Sequence, residues 1–266
     1  IGNDAAIFSL TVQHLRDLGC EVNEYIESDL IIHQFEETAI FNMVRNWTSI
    51  HKLQQMEDQG YTVINSGYGI ENCTREKMTR LLMSNNISHP ASLILPTDED
   101  PTAALKNAGF YNSWIKRGDF HAIHREDVTY VRNPEEAKTI LKEYAIRGIK
   151  TAVVNEHLVG DLVKFYGVTG TDFFYWFYPS NQHHSKFGLE QINGTAKGIP
   201  FDDSKLQQLC SQAAEVLNIH IYGGDCIISD DGLIRLIDFN DWPSFAPCRN
   251  EAAPQIARRI YNLISK

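Results

Sequence analysis

Between Gly223 and Phe245 the chain carries two apolar strand patterns joined by Ser229-Asp230-Asp231-Gly232, and into this water-avoiding pair it sets Asp225, Asp238 and Asn240. An Asp-Gly pair suits the positive φ of a tight hairpin. Residues two apart on a strand project from one face, so Asp238 and Asn240 share a side and the hairpin can bring Asp225 beside them. A carboxylate among apolar strand residues is costly unless a cation or another partner meets it. Two carboxylates and an amide oxygen form a hard donor set suited to Mg²⁺, or Mn²⁺, bridging phosphates. A single Asp would read more simply as a loop or edge polar residue; the Asp-x-Asn pair inside a strand is what favours a site.

Charge sharpens that expectation. The 266 residues include 24 Lys and Arg against 34 Asp and Glu, a formal net charge of −10, so nucleic acid and anionic membrane are poor partners for the surface as a whole. An anionic ligand would need a local cluster of bases inside a cleft. Five scattered cysteines without C-x-x-C spacing argue against a disulfide framework or a zinc knuckle and suit a reducing cytoplasm. The aromatic run from Phe173 to Tyr178 is too short to span a bilayer, and no signal-peptide pattern is present. The chain opens at Ile1 and runs straight into an amphipathic pattern with Phe8, Val12, Leu15 and Leu18 on one stripe, so a preceding strand and turn are expected to be missing.

Helix and strand patterns alternate through the first third, which predicts a small α/β layer with a mainly parallel sheet over residues 1–88. Here a helix from Thr48 to Gln59 precedes the strand Tyr61 to Ile64, a turn-rich loop at 65–69, and a helix capped by Thr74. Residues 89–156 predict an α+β unit: strands at Ser113 to Lys116 and Val128 to Val131, a helix opened by Asn133-Pro134-Glu135-Glu136 and stopped by Gly148, and a strand at Ala152 to Val154. Residues 157–266 predict a second α+β unit, with a strand at Leu162 to Val168, a helix opened by a Ser204/Gln207 capping box, the hairpin, and a closing helix from about Glu251.

The hairpin resembles the C-terminal strand pair of the ATP-grasp superfamily, in which one strand carries an Asp and the next an acidic-x-Asn followed by a Pro, here Pro243. The similarity is closest to the branch of ribosomal-protein glutamate ligases and inositol trisphosphate kinases. Further matches follow in order from about residue 60 to residue 246: Cys73-Thr74-Arg75-Glu76-Lys77, Trp114-Ile115-Lys116, Val153 to Leu158, and Gly160-Asp161-Leu162-Val163-Lys164. The resemblance implies an ATP-grasp architecture, a Rossmann-like N-terminal layer followed by two α+β subdomains gripping ATP. It also implies ATP and Mg²⁺ as cofactors, with small-molecule or peptide carboxylates and amines as substrates. Lys77, Lys116 and Lys164 would cradle the phosphates, Glu156 and the Leu158 backbone would meet adenine, and Asp161 would bind ribose or merely shape the turn after Gly160. Asp225, Asp238 and Asn240 would hold the metal, and Lys116, Lys164 and Asp238 would act at the reacting centre.

The implied reaction is carboxylate–amine ligation through an acyl phosphate, with a small-molecule (inositol-type) kinase or a nucleotide-binding module of little turnover as the alternatives. Where the family places a glycine-rich loop, this chain has Arg117 to Val128 with a single glycine, so Arg117, His121, His124 and Arg125 would have to meet phosphate with side chains. On the acceptor side Arg45 could hold a substrate carboxylate or form a surface ion pair. His183-His184 invites a metal reading, but neighbours on an extended chain point apart.

Overall fold

The computed structural model describes residues 3–120, 125–179 and 192–265. The predicted contacts of His121 and His124, and the His183-His184 pair, fall outside the described residues, as does the side chain of Arg125.

The first layer begins with α1 (Asn3–Asp17), the short α2 (Asp29–Ile32), β1 (Ala39–Phe41), α3 (Trp47–Asp58) and β2 (Thr62–Ile64). β1 and β2 form a two-stranded parallel sheet, the small parallel layer that alternation predicted. Leu18 lies beyond the end of α1 and is exposed, so it leaves the expected stripe, whereas Ile7, Val12 and Leu15 are buried. Residues expected to form a loop after β2 instead fold as α4 (Gly67–Asn72), because Ser66 accepts a hydrogen bond from the Gly69 amide and caps the turn. α5 (Arg75–Ser84) follows; Thr74 precedes it, but its side chain makes no capping bond.

The central unit is a four-stranded antiparallel sheet in the order β3 (Ser92–Pro96), β6 (Thr151–Glu156), β4 (Ser113–Arg117), β5 (Val128–Val131). Neither β3 nor α6 (Thr102–Ala108) was anticipated from the turn-rich, acidic sequence around them. α6 and α7 (Pro134–Ile146) cover one face, where Leu105, Ile115, Leu141, Tyr144 and Val154 pack together. Asn133 caps α7 by accepting from the Glu136 amide, while Glu136 accepts from the Arg132 amide, close to the expected reciprocal cap.

The third unit is a second antiparallel sheet in the order β10 (Ile234–Asp241), β9 (Ile221–Ile228), β7 (Asp161–Val168), β8 (Phe174–Phe177). α8 (Asp203–Leu217) lies on one face and buries Leu206, Cys210, Ala213 and Leu217 against Val163, Phe165, Cys226 and Phe239. Its cap is Asp202, which accepts from the Ser204 and Lys205 amides, so the helix is capped two residues before the expected Ser204. α9 (Arg249–Ile264) leaves this unit and packs Ile256, Ala257 and Ile260 with Ile7, Leu15 and Ile64 of the first layer. Three layers thus close on one another around the hairpin. Among the described residues no helix is long and apolar enough to cross a membrane.

Candidate active site

The β9–β10 register places Asp238 directly opposite Asp225 and Asn240 opposite Gly223, as the two-residue spacing required. The sequence pattern did not disclose how this parity arises. Leu236 faces the α8 core opposite Cys226, and strict alternation would turn Asp238 to that same face. A bulge at Ile237 inserts one residue, so Phe239 becomes the next core residue and Asp238 faces the cleft. The bulge also turns out the Ile237 carbonyl, which accepts a 2.7 Å hydrogen bond from Lys116 Nζ on the central sheet. Ser88 holds the same strand by donating to Ile234 and accepting from the Leu236 amide through its carbonyl.

Lys116 is therefore where the two sheets meet. On β4, Ile115 points into the α6–α7 core while Lys116, one residue on, points into the cleft between the sheets. The lysine is only 7% exposed, and burial, aided by the neighbouring positive Arg75, pushes its pKa down to about 8 against the pull of Asp238 and Asp225. Lys164, opposite Asp225 across β7 and β9, donates to both its carboxylate oxygens at 2.9 and 3.1 Å.

Lys77 does not join them. It pairs with Glu71 at the protein surface, and its place beside Asp238 is taken by Arg75, whose two terminal nitrogens bind the two carboxylate oxygens at 3.2 Å each. The reason is helical phase. Residues two apart on a helix are rotated by about 200°, so Arg75 and Lys77 cannot serve one face. Arg75 stands at i, i+3 and i+7 with Met78 and Leu82, both buried, and that stripe was the signal that could have found it.

Of the two roles expected for Asp161, ribose binding or shaping the chain after Gly160, its observed contacts are those of a structural clamp. It is 2% exposed and accepts from the Lys197 and Ile199 amides at 2.7 and 2.8 Å, so its carboxylate clamps the loop that leads to α8. The turn before it needs Gly160, whose φ is +155° and whose missing Cβ would meet the Ile228 carbonyl oxygen at 2.1 Å.

The link from β6 to β7 passes through Glu156, His157 and Leu158. Glu156 accepts from the Ala91 amide at 2.8 Å and so fixes the end of β6. His157 accepts from the Trp114 indole at 3.1 Å beside Tyr130, and burial lowers its pKa, which keeps it neutral and able to accept. Leu158 packs with Leu162, Ile227 and Ile237 as an apolar floor next to the charged cluster. Leu158 itself is buried, at 6% exposure, where the chain passes from β6 to β7.

On the acceptor side, Arg45 is engaged with Asp241 at 2.8 Å and with the Asp241 and Trp242 carbonyls, which ties the first layer to the strand end beyond Asn240. Arg117 is likewise engaged with Asp119 and with buried Asp127. The five cysteines are free thiols, and burial raises Cys73, Cys210, Cys226 and Cys248. Those four buried thiols are poor nucleophiles in this setting.

The site thus places an apolar floor beside three cations and two carboxylates, with an amide side chain at the far end of the same strand. Among the described residues no group of three or more His, Cys, Asp or Glu is suited to a metal, so any metal here would rest on the two carboxylates and other oxygens. That all-oxygen set fits Mg²⁺, which keeps several waters and binds through one or two carboxylates plus phosphate.

No family model matches the chain, and no curated protein matches its sequence. Solved structures do resemble it. The D-alanine–D-alanine ligase of Bacillus anthracis, complexed with ATP, is 12% identical and superposes with a TM-score of 0.70, covering 98% of this chain and 90% of that one. The ATP-grasp ligase PsnB, with precursor peptide PsnA2 and AMPPNP, is 14% identical with a TM-score of 0.64, covering 97% and 95%. The D-alanine–D-alanine ligase of Coxiella burnetii is 13% identical with a TM-score of 0.63, covering 86% and 69%. With two antiparallel sheets facing across a cleft behind an α/β layer, and these neighbours along nearly its whole length, the chain has the ATP-grasp fold.

Proposed function

We propose that the protein is an ATP- and Mg²⁺-dependent ligase that joins a carboxylate to an amine, forming an amide or peptide bond. The observation that carries this reading is the meeting of Lys116, Lys164 and Arg75 with Asp225 and Asp238 beside the Leu158 floor, in a protein that is otherwise strongly acidic. Adenine would lie on the floor with the Leu158 amide as donor to its edge. The three cations would take the triphosphate charge, with Lys116 and Lys164 approaching the transferring phosphoryl group. Asp225, Asp238 and the Asn240 amide oxygen would hold Mg²⁺, which when bound supplies charge neutralisation across neighbouring phosphates.

In this reading a substrate carboxylate oxygen attacks the γ-phosphorus and ADP departs with the bridging oxygen. The acyl phosphate keeps the carboxyl carbon activated between the sheets, sheltered from water. An amine then attacks that carbon, phosphate leaves, and the amine loses a proton. The solved neighbours include a ligase of two amino acids and a ligase bound to a peptide, so both small-molecule and peptide acceptors fit the class.

The test is ADP release from Mg·ATP over pools of amino acids, short peptides and polyols. The expected result is ADP only when carboxylate and amine are supplied together. ADP formed with a polyol alone would replace ligation by kinase chemistry, and nucleotide binding without turnover on any pool would leave a binding module.

A further inference from the structure

Resting on that reading, the Arg75–Asp238 pair has a further consequence. Arg75 is 6% exposed and Asp238 19%, and the guanidinium takes both carboxylate oxygens, one of which also accepts from the Phe239 amide at 3.2 Å. The oxygens that would meet a metal are therefore held by a fixed, permanently charged fork. Asp225 is held in the same way by Lys164.

These partners have a physical reason to be there. Asp225 and Asp238 face each other across adjacent strands, where like charges are destabilising unless something neutralises them. Arg75 and Lys164 do so from two different elements. With Lys116 added, the cluster carries more positive than negative charge among the described residues, so a bare dication entering it meets three cations and competes with them for the carboxylate oxygens. A triphosphate arriving with the metal reverses the balance, because its oxygens offer the displaced cations new acceptors.

We propose that Arg75 is a positioning residue that occupies Asp238 until metal and triphosphate arrive together, and so couples metal binding to the nucleotide. Asp238 then passes to the metal and Arg75 to a phosphate oxygen. The coupling belongs to Arg75 rather than to Lys77, which is turned away on Glu71.

The test measures Mn²⁺ affinity without nucleotide, by electron paramagnetic resonance of free Mn²⁺, in wild type and in Arg75→Ala, Arg75→Gln and Arg75→Lys. The expected result is weak binding in wild type, a gain of about tenfold in the Ala and Gln variants, corresponding to ~1.4 kcal/mol, and near-wild-type weakness in the Lys variant. The gain should vanish when Asp238→Asn is added to Arg75→Ala. Affinity for metal-free AMPPNP should fall several-fold in the Ala and Gln variants. Unchanged or weaker Mn²⁺ binding in a folded Ala or Gln variant overturns the proposal. So does a wild-type structure with Mn²⁺ and AMPPNP in which Arg75 stays on Asp238. If wild type fails to bind Mn·AMPPNP at all, the reading of the site falls and the latch with it; binding with unaltered metal affinity in the variants sinks the latch alone.

Discussion

Asp127 and Asp238, two of the carboxylates held by arginines in this molecule, behave differently. Asp127 is fully buried, bound by Arg117 and Arg147, and ties the edge of β5 to the end of α7. Asp238 is partly open, sits just after a bulge, faces a second carboxylate and shares its surroundings with Arg75, Lys116 and Lys164. The first arrangement joins elements of one unit. The second joins all three layers and retains access to solvent. Buried ion pairs are common as structural clamps; what makes the second a candidate site is an open, positively biased cluster next to an apolar floor.

The sharpest way to separate the two is to neutralise each. Asp238→Asn should lower Mg·nucleotide affinity or turnover by ~10²–10³-fold, with stability changed far less because the anion lost to Arg75 is offset by relief of the Asp225–Asp238 repulsion. Asp127→Asn should do the reverse, losing about 1–3 kcal/mol in chemical denaturation because the half-buried Arg117 and the more exposed Arg147 lose a fully buried anion, while nucleotide affinity of the folded fraction is kept. Equal effects of both on binding would erase the contrast.

Lys116 tests the linkage between charge and access. Its pKa in the folded chain, about 8, lies below the ordinary lysine value of 10.5. Nucleotide phosphates favour the protonated form, so affinity should fall as pH rises through 8, and Lys116→Arg should move that fall to higher pH. For folding the sign is opposite: the unfolded chain holds the proton more tightly between pH 8 and 10.5, so stability rises across that window. Lys116→Met should therefore gain on the order of 1–3 kcal/mol at pH 7 and lose that slope, while abolishing nucleotide binding. A flat affinity profile from pH 7 to 9 would show that Lys116 does not meet phosphate.

Asp161→Ala is expected to cost about 1–3 kcal/mol through two unpaired amides, with the nucleotide dissociation constant changed by less than threefold. A large loss of affinity at unchanged stability would restore the ribose role. Lys77→Ala should have the smallest effect, within about 1 kcal/mol of stability and twofold of nucleotide affinity, since the lysine is half exposed and its partner Glu71 keeps a second hydrogen bond from Gln54.

Much of the site was legible because strand periodicity is short and rigid. Asp238 and Asn240 could be placed on one face from spacing alone, although Asp225 shares that face only through the bulge at Ile237, and Lys116 and Lys164 stood out as bases inside apolar strand patterns. The helix was harder. Arg75 and Lys77 are both bases in a matching segment, and only attention to the stripe through Met78 and Leu82 distinguishes the inward one. The strand β3 and helix α6 carry no clear local signal because they flank the short acidic, turn-rich stretch between Pro96 and Pro101. β3 is an edge strand, and its Pro96 stands at the strand end, where a missing amide is tolerated.

By itself the sequence determined the layers, the hairpin and the donor chemistry of its face, because those follow from local periodicity, turn residues and the cost of burying charge. Only the tertiary structure decided which base meets which acid. The bulge at Ile237, the phase of α5 and the capture of Asp161 by distant amides depend on packing between segments far apart in the chain, and no local pattern encodes a partner 163 residues away.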